Sequence, residues 1–183
     1  RICAAFFREV RHPLVLVSSL DPHDAHALAP WLASLDCPLY LEPVSQLRND
    51  GNLQKFSLHS GARILLTPEC RIACDGVIRI GGVPTPRFWR ECEQWKVLHV
   101  SSVNLPGLAA PSPVVPLSSF REICLEFSPQ SGKAGPLFAR DSAAAEQLDS
   151  LLQREPRSEP GLVRLLATRL AEDARVFLGN SLP

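Results

Sequence analysis

The stretch from Asp75 to Arg90 constrains the fold of this chain more than any other part of the sequence. It holds the run Val-Ile-Arg-Ile, then the pair Gly81-Gly82, then Thr85-Pro86. A β-branched run is typical of a strand, two glycines allow a sharp turn, and threonine followed by proline is typical of a helix start. The stretch therefore predicts a strand, a tight turn and a helix, which is the repeating unit of an α/β sheet.

This junction also predicts where a ligand would bind. In an open α/β sheet, ligands bind in the crevice at the carboxyl ends of the strands, where helix N-termini present free N–H groups. Arg87 would lie in the first turn of the predicted helix, beside that crevice. The alternative is a turn that only connects two elements, and the turn alone does not identify a function.

Similar units precede and follow this stretch. Leu14–Val17 is a continuous apolar run, as expected for a strand buried on both faces of a parallel sheet. Asp21-Pro22 followed by an apolar stripe predicts a helix over 22–35. Further helices are predicted over 2–10, 62–66, 86–94 and 119–125, further strands over 38–41, 97–100 and 114–115, and a loop over 49–60. The alternation predicts an open, mostly parallel, Rossmann-like α/β sheet with helices on both faces.

The composition changes near residue 128 to Ser, Pro, Gln, Gly and Lys, which is typical of a linker. We therefore expect a domain over 1–127, a linker over 128–141 and a second region over 142–183. The second region carries predicted helices over 142–154 and 159–172 and a strand over 175–178 with a glycine turn after it. A strand without its helix is an unfinished unit, and the sequence contains no methionine, so we expect a piece of a longer polypeptide.

Charge and hydropathy argue against several classes of partner. The 19 basic residues balance the 19 acidic ones, so no excess positive charge would attract nucleic acid or an anionic membrane surface. No apolar run approaches the roughly 20 residues that a membrane span needs. We expect a cytoplasmic protein that binds neither nucleic acid nor membranes.

The cysteines and the clustered histidines do not predict a metal site. The six cysteines lie mostly in apolar sequence, and we expect buried, reduced thiols. Cys70 and Cys74 are four residues apart, which suits one helical face better than a zinc knuckle. His23 and His26 lie off the apolar stripe of their helix, so we expect both on its solvated face.

Four segments together match the pattern of one enzyme family. They are Glu-Pro-Val-Ser-Gln-Leu-Arg over 42–48, Ile-Gly-Gly-Val-Pro-Thr-Pro-Arg over 80–87, Ser-Glu-Pro-Gly-Leu over 158–162 and Val-Phe-Leu-Gly-Asn-Ser-Leu-Pro over 176–183. Over residues 13–183 the chain resembles the MenD family, the thiamine-diphosphate-dependent synthases of menaquinone and phylloquinone biosynthesis. A Gly-x-Gly-x-x-Gly fingerprint, which would indicate a bound dinucleotide, is absent from the sequence.

The resemblance implies a function for a longer protein. Enzymes of this family have three α/β domains, and the match implies the central domain plus the truncated start of the carboxyl-terminal, diphosphate-binding domain. The complete enzyme would be a homo-oligomeric carboligase, a transferase that adds decarboxylated 2-oxoglutarate to isochorismate with thiamine diphosphate and Mg²⁺. The activating glutamate belongs to the amino-terminal domain, and the Gly-Asp-Gly metal motif would follow Pro183. We therefore expect this chain alone to lack catalytic residues, to bind neither cofactor nor metal, and to be inactive.

The resemblance also implies three substrate-binding residues. Arg87 stands where the family has a basic residue, often lysine, that reaches a substrate carboxylate, and a guanidinium would suit a bidentate pair. Asn180 and Ser181 stand in the Gly-Asn-Ser turn that lines the substrate pocket. Two alternatives remain open at this point. The chain could be a stand-alone module that binds a small ligand or nucleotide, or a regulatory domain, because the central domain of some family members binds a naphthoate effector.

Overall fold

A computed structural model of the chain describes most of its length. The described residues are 2–85, 88, 94–101, 114–119, 133–171 and 173–176. The chain divides into two compact units, residues 1–144 and residues 145–183.

Five parallel strands form one open sheet in the first unit. They are β1 (Pro13–Val17), β2 (Leu39–Leu41), β3 (Gly76–Ile80), β4 (Val97–Ser101) and β5 (Val114–Pro116), in the spatial order β2-β1-β3-β4-β5. Val15 of β1 lies opposite Leu39 on one side and Ile78 on the other. The parallel sheet confirms the predicted fold class, and β5 lies at the edge, as its proline-rich surroundings predict.

Side chains supply hydrogen-bond acceptors at the starts of two helices, of which the sequence analysis predicts α2 and not α3. The described helices are α1 (Ile2–Glu9), α2 (Pro22–Ser34), α3 (Pro68–Ala73), α4 (Gly135–Arg154) and α5 (Glu159–Arg169). Asp21 accepts a hydrogen bond from the backbone N–H of His23 before α2, and Thr67 accepts one from Cys70 before α3. Both helices have proline in their first turn, where its missing N–H costs nothing because that group has no partner inside the helix.

Helices cover both faces of the sheet. On one face, α1 and α2 pack against alternate residues of the strands, including Val15, Val17 and Ile80. On the other face, α3, the 3₁₀ segment Ala62–Leu66 and the start of α4 pack against residues such as Leu16. Every residue of β1 is buried, because a central parallel strand has helices over both of its faces.

The loop over 49–60 is better anchored than its sequence predicts. Gln54–Phe56 forms a 3₁₀ turn, and the side chains of Leu53, Phe56 and Leu58 are buried in the core. The backbone N–H of Leu58 donates to the carbonyl of Leu39, so the loop runs beside β2 at the edge of the sheet. Three apolar side chains spread over six residues give no periodic signal, which is why the sequence indicates an irregular loop.

Other boundaries differ from the sequence predictions or remain predictions. The helix α4 begins at Gly135 rather than near residue 142, because a Pro-Leu-Phe-Ala run continues it toward the amino end. Arg175 and Val176, the described part of the predicted last strand, are irregular. The predicted helix over 86–94 is described at Phe88, which is helical, and the helix over 119–125 only at residue 119. Gln94, the last residue of the predicted helix over 86–94, is also described, and the remaining residues of both helices lie outside the described ones.

Four cysteines are buried with free thiols, as predicted: Cys3, Cys37, Cys70 and Cys74. Burial raises the pKa of the Cys37 thiol. Cys92 and Cys124 lie outside the described residues. His23 and His26 are exposed, as their position off the apolar stripe predicts.

The second unit, residues 145–183, contains the end of α4 and all of α5. The Ser158 hydroxyl accepts a hydrogen bond from the backbone N–H of Gly161 at the start of α5. Arg164 of α5 forms an ion pair with Asp149 of α4, with Nη1 2.6 Å from Oδ1. Apolar side chains are left exposed on α5, namely Leu162, Val163, Leu165 and Leu166. Among the described helices of the whole chain, none has the length and apolar character needed to cross a bilayer.

Candidate functional site

The five strands are parallel, so their carboxyl ends all lie along one side of the sheet, which we call its carboxyl edge. The hydrogen-bond ladder continues one residue past three of these strands, because Ser18, Glu42 and Gly81 each donate a backbone N–H to a neighbouring strand at 2.9 to 3.0 Å. Parallel strands place the residues that follow them side by side, and ligands bind at this edge in open α/β sheets. The residues that follow β1, β2 and β3 therefore form the candidate site.

The Gly81-Gly82 turn packs directly on the backbone that follows β1. Gly81 has a φ of 87°, in the left-handed region, and a Cβ there would lie 2.4 Å from the carbonyl oxygen of Ser19. Gly82 donates its N–H to that same carbonyl at 2.9 Å. The close approach and the positive φ both require glycine at position 81, so the predicted tight turn is confirmed and has a physical cause.

Glu42 joins the end of β2 to the segment that follows the glycine turn. Its side chain is buried, and Oε1 accepts hydrogen bonds from both the backbone N–H of Thr85, at 2.9 Å, and the Thr85 hydroxyl. No donor from a described residue lies within hydrogen-bond distance of Glu42 Oε2. The carboxylate thus holds a residue that is 43 positions away in the sequence.

Other side chains hold the rest of the same turn. The Ser18 hydroxyl donates to the carbonyl of Val83 at 3.2 Å, and Nη2 of Arg79 donates to the carbonyl of Gly82 at 2.8 Å. We call residues 81–85 the edge turn. Its backbone is held by contacts from the ends of β1, β2 and β3, so a segment without regular secondary structure has a defined position.

A buried arginine and a neutral histidine lie beneath the edge turn. Arg79 of β3 and His99 of β4 are opposite each other in the sheet, with Nη1 of the arginine 3.3 Å from Nδ1 of the histidine. Burial, and then the charge of Arg79, lower the pKa of His99 to about 4. His99 is therefore neutral near pH 7, and its Nδ1 accepts the arginine proton, which leaves the ring proton on Nε2.

Three ionisable side chains interact electrostatically at the end of β2: those of Tyr40, Glu42 and Arg48. Burial raises the pKa of Tyr40, the negative charge of Glu42 raises it further, and the Arg48 guanidinium opposes them. Arg48 donates from Nη1 to the carbonyl of Leu41 at 2.9 Å, which keeps the guanidinium charge near the last residue of β2. Tyr40 is therefore a neutral phenol at pH 7.

A second buried carboxylate fixes the loop that follows β2. Asp141 of α4 accepts three hydrogen bonds: from the backbone N–H of His59 at 2.7 Å, from that of Ser60 at 3.0 Å, and from the Ser60 hydroxyl at 2.6 Å. His59 itself is exposed. Because backbone groups of the loop are the donors, Asp141 has a structural role rather than a place in the candidate site.

The substrate-binding residues that the sequence predicts are Arg87, Asn180 and Ser181, and all three lie outside the described residues. Their roles stay predictions. The described residue nearest to Arg87 on the amino-terminal side is Thr85, which Glu42 holds in place. Arg79 and His99 were not singled out from the sequence. A signal was present, because each is a charged or titratable residue inside an otherwise apolar strand, Val-Ile-Arg-Ile and Val-Leu-His-Val.

The described residues do not form a metal-binding cluster. Across residues 2–85, 94–101 and the other described parts, no three His, Cys, Asp or Glu side chains lie close enough together to hold a metal ion.

Comparison with known proteins identifies similar sequences. No protein-family model matches the chain. The chain is 32% identical over 180 residues to the 2-succinyl-5-enolpyruvyl-6-hydroxy-3-cyclohexene-1-carboxylate synthase of Bdellovibrio bacteriovorus, a match that covers 97% of this chain and 34% of that protein. It is 30% identical to the synthase of the same name from Akkermansia muciniphila, over 93% of this chain and 32% of the relative. It is 31% identical to the synthase of the same name from Chlorobium phaeovibrioides, over 94% of this chain and 31% of that protein.

These matches agree with the resemblance in the four motif segments. They extend over nearly the whole chain, including the edge turn and the Glu42–Arg48 segment, rather than over one motif. The chain spans about a third of the length of the curated relatives that it matches. By its sequence, the chain is similar to about a third of the length of synthases of the MenD family.

Proposed function

We propose that this chain is the central part of a thiamine-diphosphate-dependent 2-succinyl-5-enolpyruvyl-6-hydroxy-3-cyclohexene-1-carboxylate synthase, together with the start of its diphosphate-binding domain. Three relatives that match nearly the whole chain carry that name. Each is about three times as long as the matched region, so the activity is proposed for a longer, homo-oligomeric, cytoplasmic protein. Thiamine diphosphate with Mg²⁺ would supply the decarboxylation chemistry from other domains.

The observation that carries this proposal is that two of the motif segments meet in the fold. Glu42 opens one segment and Thr85 belongs to another, and the two are joined by hydrogen bonds at the carboxyl edge of the sheet. This is the edge at which α/β folds bind ligands. Two segments that are far apart in the sequence and both resemble the family therefore lie at one place that suits a substrate.

In this proposal the chain binds and orients substrate. The edge turn leads to Arg87, whose guanidinium would pair with a carboxylate of 2-oxoglutarate or isochorismate in a bidentate arrangement. Asn180 and Ser181 would also contact substrate, as the resemblance of their Gly-Asn-Ser turn to the family implies. Holding a substrate carboxylate in a fixed geometry lowers the entropy cost of bringing the reacting groups together. The described residues are not assigned a proton-transfer role.

Activity of the complete protein is the direct test. The whole reading frame is expressed and assayed for carbon dioxide release and product formation with 2-oxoglutarate, isochorismate, thiamine diphosphate and Mg²⁺. Arg87→Ala should raise the KM of one substrate by about ten- to a hundredfold, because a charge-assisted hydrogen bond contributes about 1.5–3 kcal/mol. Arg87→Lys should recover much of the loss. Arg63→Ala, at an exposed arginine of the Ala62–Leu66 segment, is the matched control.

Two outcomes would contradict the proposal, one its activity and the other its substrate-binding residue. A complete protein that is folded and saturated with cofactor but forms no product would reject the activity. An active protein in which Arg87→Ala and Arg63→Ala have the same kinetic constants would retain the activity and reject Arg87 as a substrate-binding residue.

A small-ligand or effector-binding module is the second candidate. It is supported by the buried Arg79, which lies beside neutral His99 under the edge turn and brings a permanent positive charge to the ligand-binding edge. Thermal denaturation of the chain with a panel of aromatic carboxylates, dicarboxylates and nucleotides separates the candidates. A saturable rise in Tm with one class of compound, in a chain whose complete protein lacks synthase activity, would favour the module.

A further inference from the structure

The edge turn leads to Arg87, and most of its polar groups are already engaged. Gly82 and Val83 have their carbonyls bonded to Arg79 and Ser18, and the N–H of Gly82 is bonded to the backbone of Ser19. These contacts hold the first half of the turn against β1 and β3. None of these contacts involves Thr85, the last residue of the edge turn, which is instead hydrogen-bonded to Glu42.

Glu42 holds both donors of Thr85 with one oxygen atom. Oε1 accepts from the backbone N–H at 2.9 Å and from the hydroxyl, so the position of the residue and the rotamer of its side chain are both fixed. Glu42 is only 1% exposed, so its carboxylate is largely removed from bulk water. A buried carboxylate is costly to desolvate unless it is hydrogen-bonded, so a folded chain gains by keeping this contact formed.

We propose that Glu42 is a positioning residue, which fixes Thr85 and thereby sets where the segment carrying Arg87 meets the substrate. This inference rests on the proposed function, because it concerns the substrate-binding role of Arg87. Glu42 touches no reacting group in this assignment. It acts through Thr85, by removing the freedom that the end of an irregular turn would otherwise have before substrate binds.

The geometry gives different expectations for different substitutions. Glu42→Gln keeps an amide oxygen that can accept both Thr85 donors, so it should stay within about threefold of the wild-type KM. Glu42→Ala removes the acceptor and should raise KM by about tenfold, with a smaller change in kcat. Thr85→Ser keeps both donors and should resemble the wild type. Thr85→Val loses the hydroxyl but keeps the backbone N–H, so its KM should lie between those of Glu42→Gln and Glu42→Ala.

A double-mutant cycle separates positioning from general stability. If Glu42 acts through Arg87, then Glu42→Ala in an Arg87→Ala background should add less than about twofold to KM, because the contact it positions is already lost. Asp141→Ala is the matched control, since Asp141 is also a buried carboxylate that accepts backbone N–H groups, but those of residues 59 and 60. It should lower stability without raising KM.

Amide hydrogen exchange on this chain tests the contact without using activity. The Thr85 amide should exchange at least about tenfold faster in Glu42→Ala than in the wild type, whereas Asp141→Ala should accelerate the amides of His59 and Ser60 instead. If Glu42→Ala does not fold, Glu42→Gln and Thr85→Val carry both experiments, and their KM values should still follow the order given above.

The measurements test the positioning role of Glu42 separately from the proposed function. Unchanged exchange at Thr85 in Glu42→Ala, multiplicative KM effects with Arg87→Ala, or a Glu42→Gln variant as impaired as Glu42→Ala would each overturn the positioning role. An inactive complete protein would instead reject the proposed function and the role in substrate binding with it, while the exchange rates would still decide whether Glu42 holds Thr85.

Discussion

Removing the Asp141 carboxylate should lower the free energy of unfolding of residues 1–144 by about 2–4 kcal/mol. The side chain is 3% exposed and accepts three hydrogen bonds, at 2.7, 3.0 and 2.6 Å. A hydrogen bond to a charged group contributes about 1.5–3 kcal/mol, but bonds that share one acceptor are not additive. The loop donors of Asp141→Ala can partly regain water, so the expected loss is close to that of one or two bonds.

Urea unfolding followed by tryptophan fluorescence measures this loss. All three tryptophans, Trp31, Trp89 and Trp95, lie within residues 1–144, so their emission reports that unit. With an m-value of about 2 kcal/mol/M, the midpoint for Asp141→Ala should fall by roughly 1–2 M.

Two milder variants show whether the hydrogen bonds are the cause. Asp141→Asn keeps one oxygen acceptor and should lose less, and Ser60→Ala removes the hydroxyl bond and should lose about 1 kcal/mol. Ser60→Ala should have a smaller effect once Asp141 is alanine, because its partner is then missing. A stability for Asp141→Ala within about 0.5 kcal/mol of the wild type would refute the reasoning, as would equal Ser60→Ala effects in both backgrounds.

Three other predictions concern the sheet edge and the cofactor. Gly81→Ala should destabilise the chain by about 1–3 kcal/mol in the same urea assay, because its φ is positive and its Cβ would meet Ser19, whereas Gly51→Ala, with open space around it, should be nearly neutral. The folded pKa of His99 is lowered from 6.5 to about 4, so the stability it contributes is full above pH 6.5 and is lost as pH falls toward 4. Wild-type stability minus that of His99→Gln should therefore fall by up to about 3 kcal/mol between pH 7 and pH 4, and a constant difference would contradict this. Calorimetric titration of the chain with thiamine diphosphate and Mg²⁺ should give no saturable heat, and micromolar binding would show that the cofactor contacts were misassigned.

The sheet was predictable because its signals are local. The apolar run Leu14–Val17 identifies a buried parallel strand, and the pair Gly81-Gly82 identifies the turn after β3. Asp21 begins α2 at the expected position through a contact within three residues along the chain. Each of these features depends on a few neighbouring residues, so the sequence carries it without knowledge of the fold.

The contacts of the candidate site were less predictable because they join distant residues. Glu42 could be placed after a strand, but its bond to Thr85 depends on how β2 and β3 are arranged around β1. The pairing of Arg79 with His99 likewise depends on the register of β3 with β4. No local pattern encodes such pairs.

The placement of β1 at the centre of the chain's first three strands also governs the order in which the protein can assemble. β1 pairs with β2 on one side and with β3 on the other, and Pro13 lies opposite Gly76. Pairing β1 with β3 closes a loop formed by the chain between Pro13 and Gly76, and this closure costs conformational entropy before the strands pair. Parallel pairings between residues so far apart in the sequence slow folding. During synthesis, the apolar β1 emerges well before β3, so one of its edges stays open until Ile80 has left the ribosome. The nascent chain therefore passes through a stage in which the apolar β1 has one unpaired edge, and that stage is when a chaperone would protect it from aggregation.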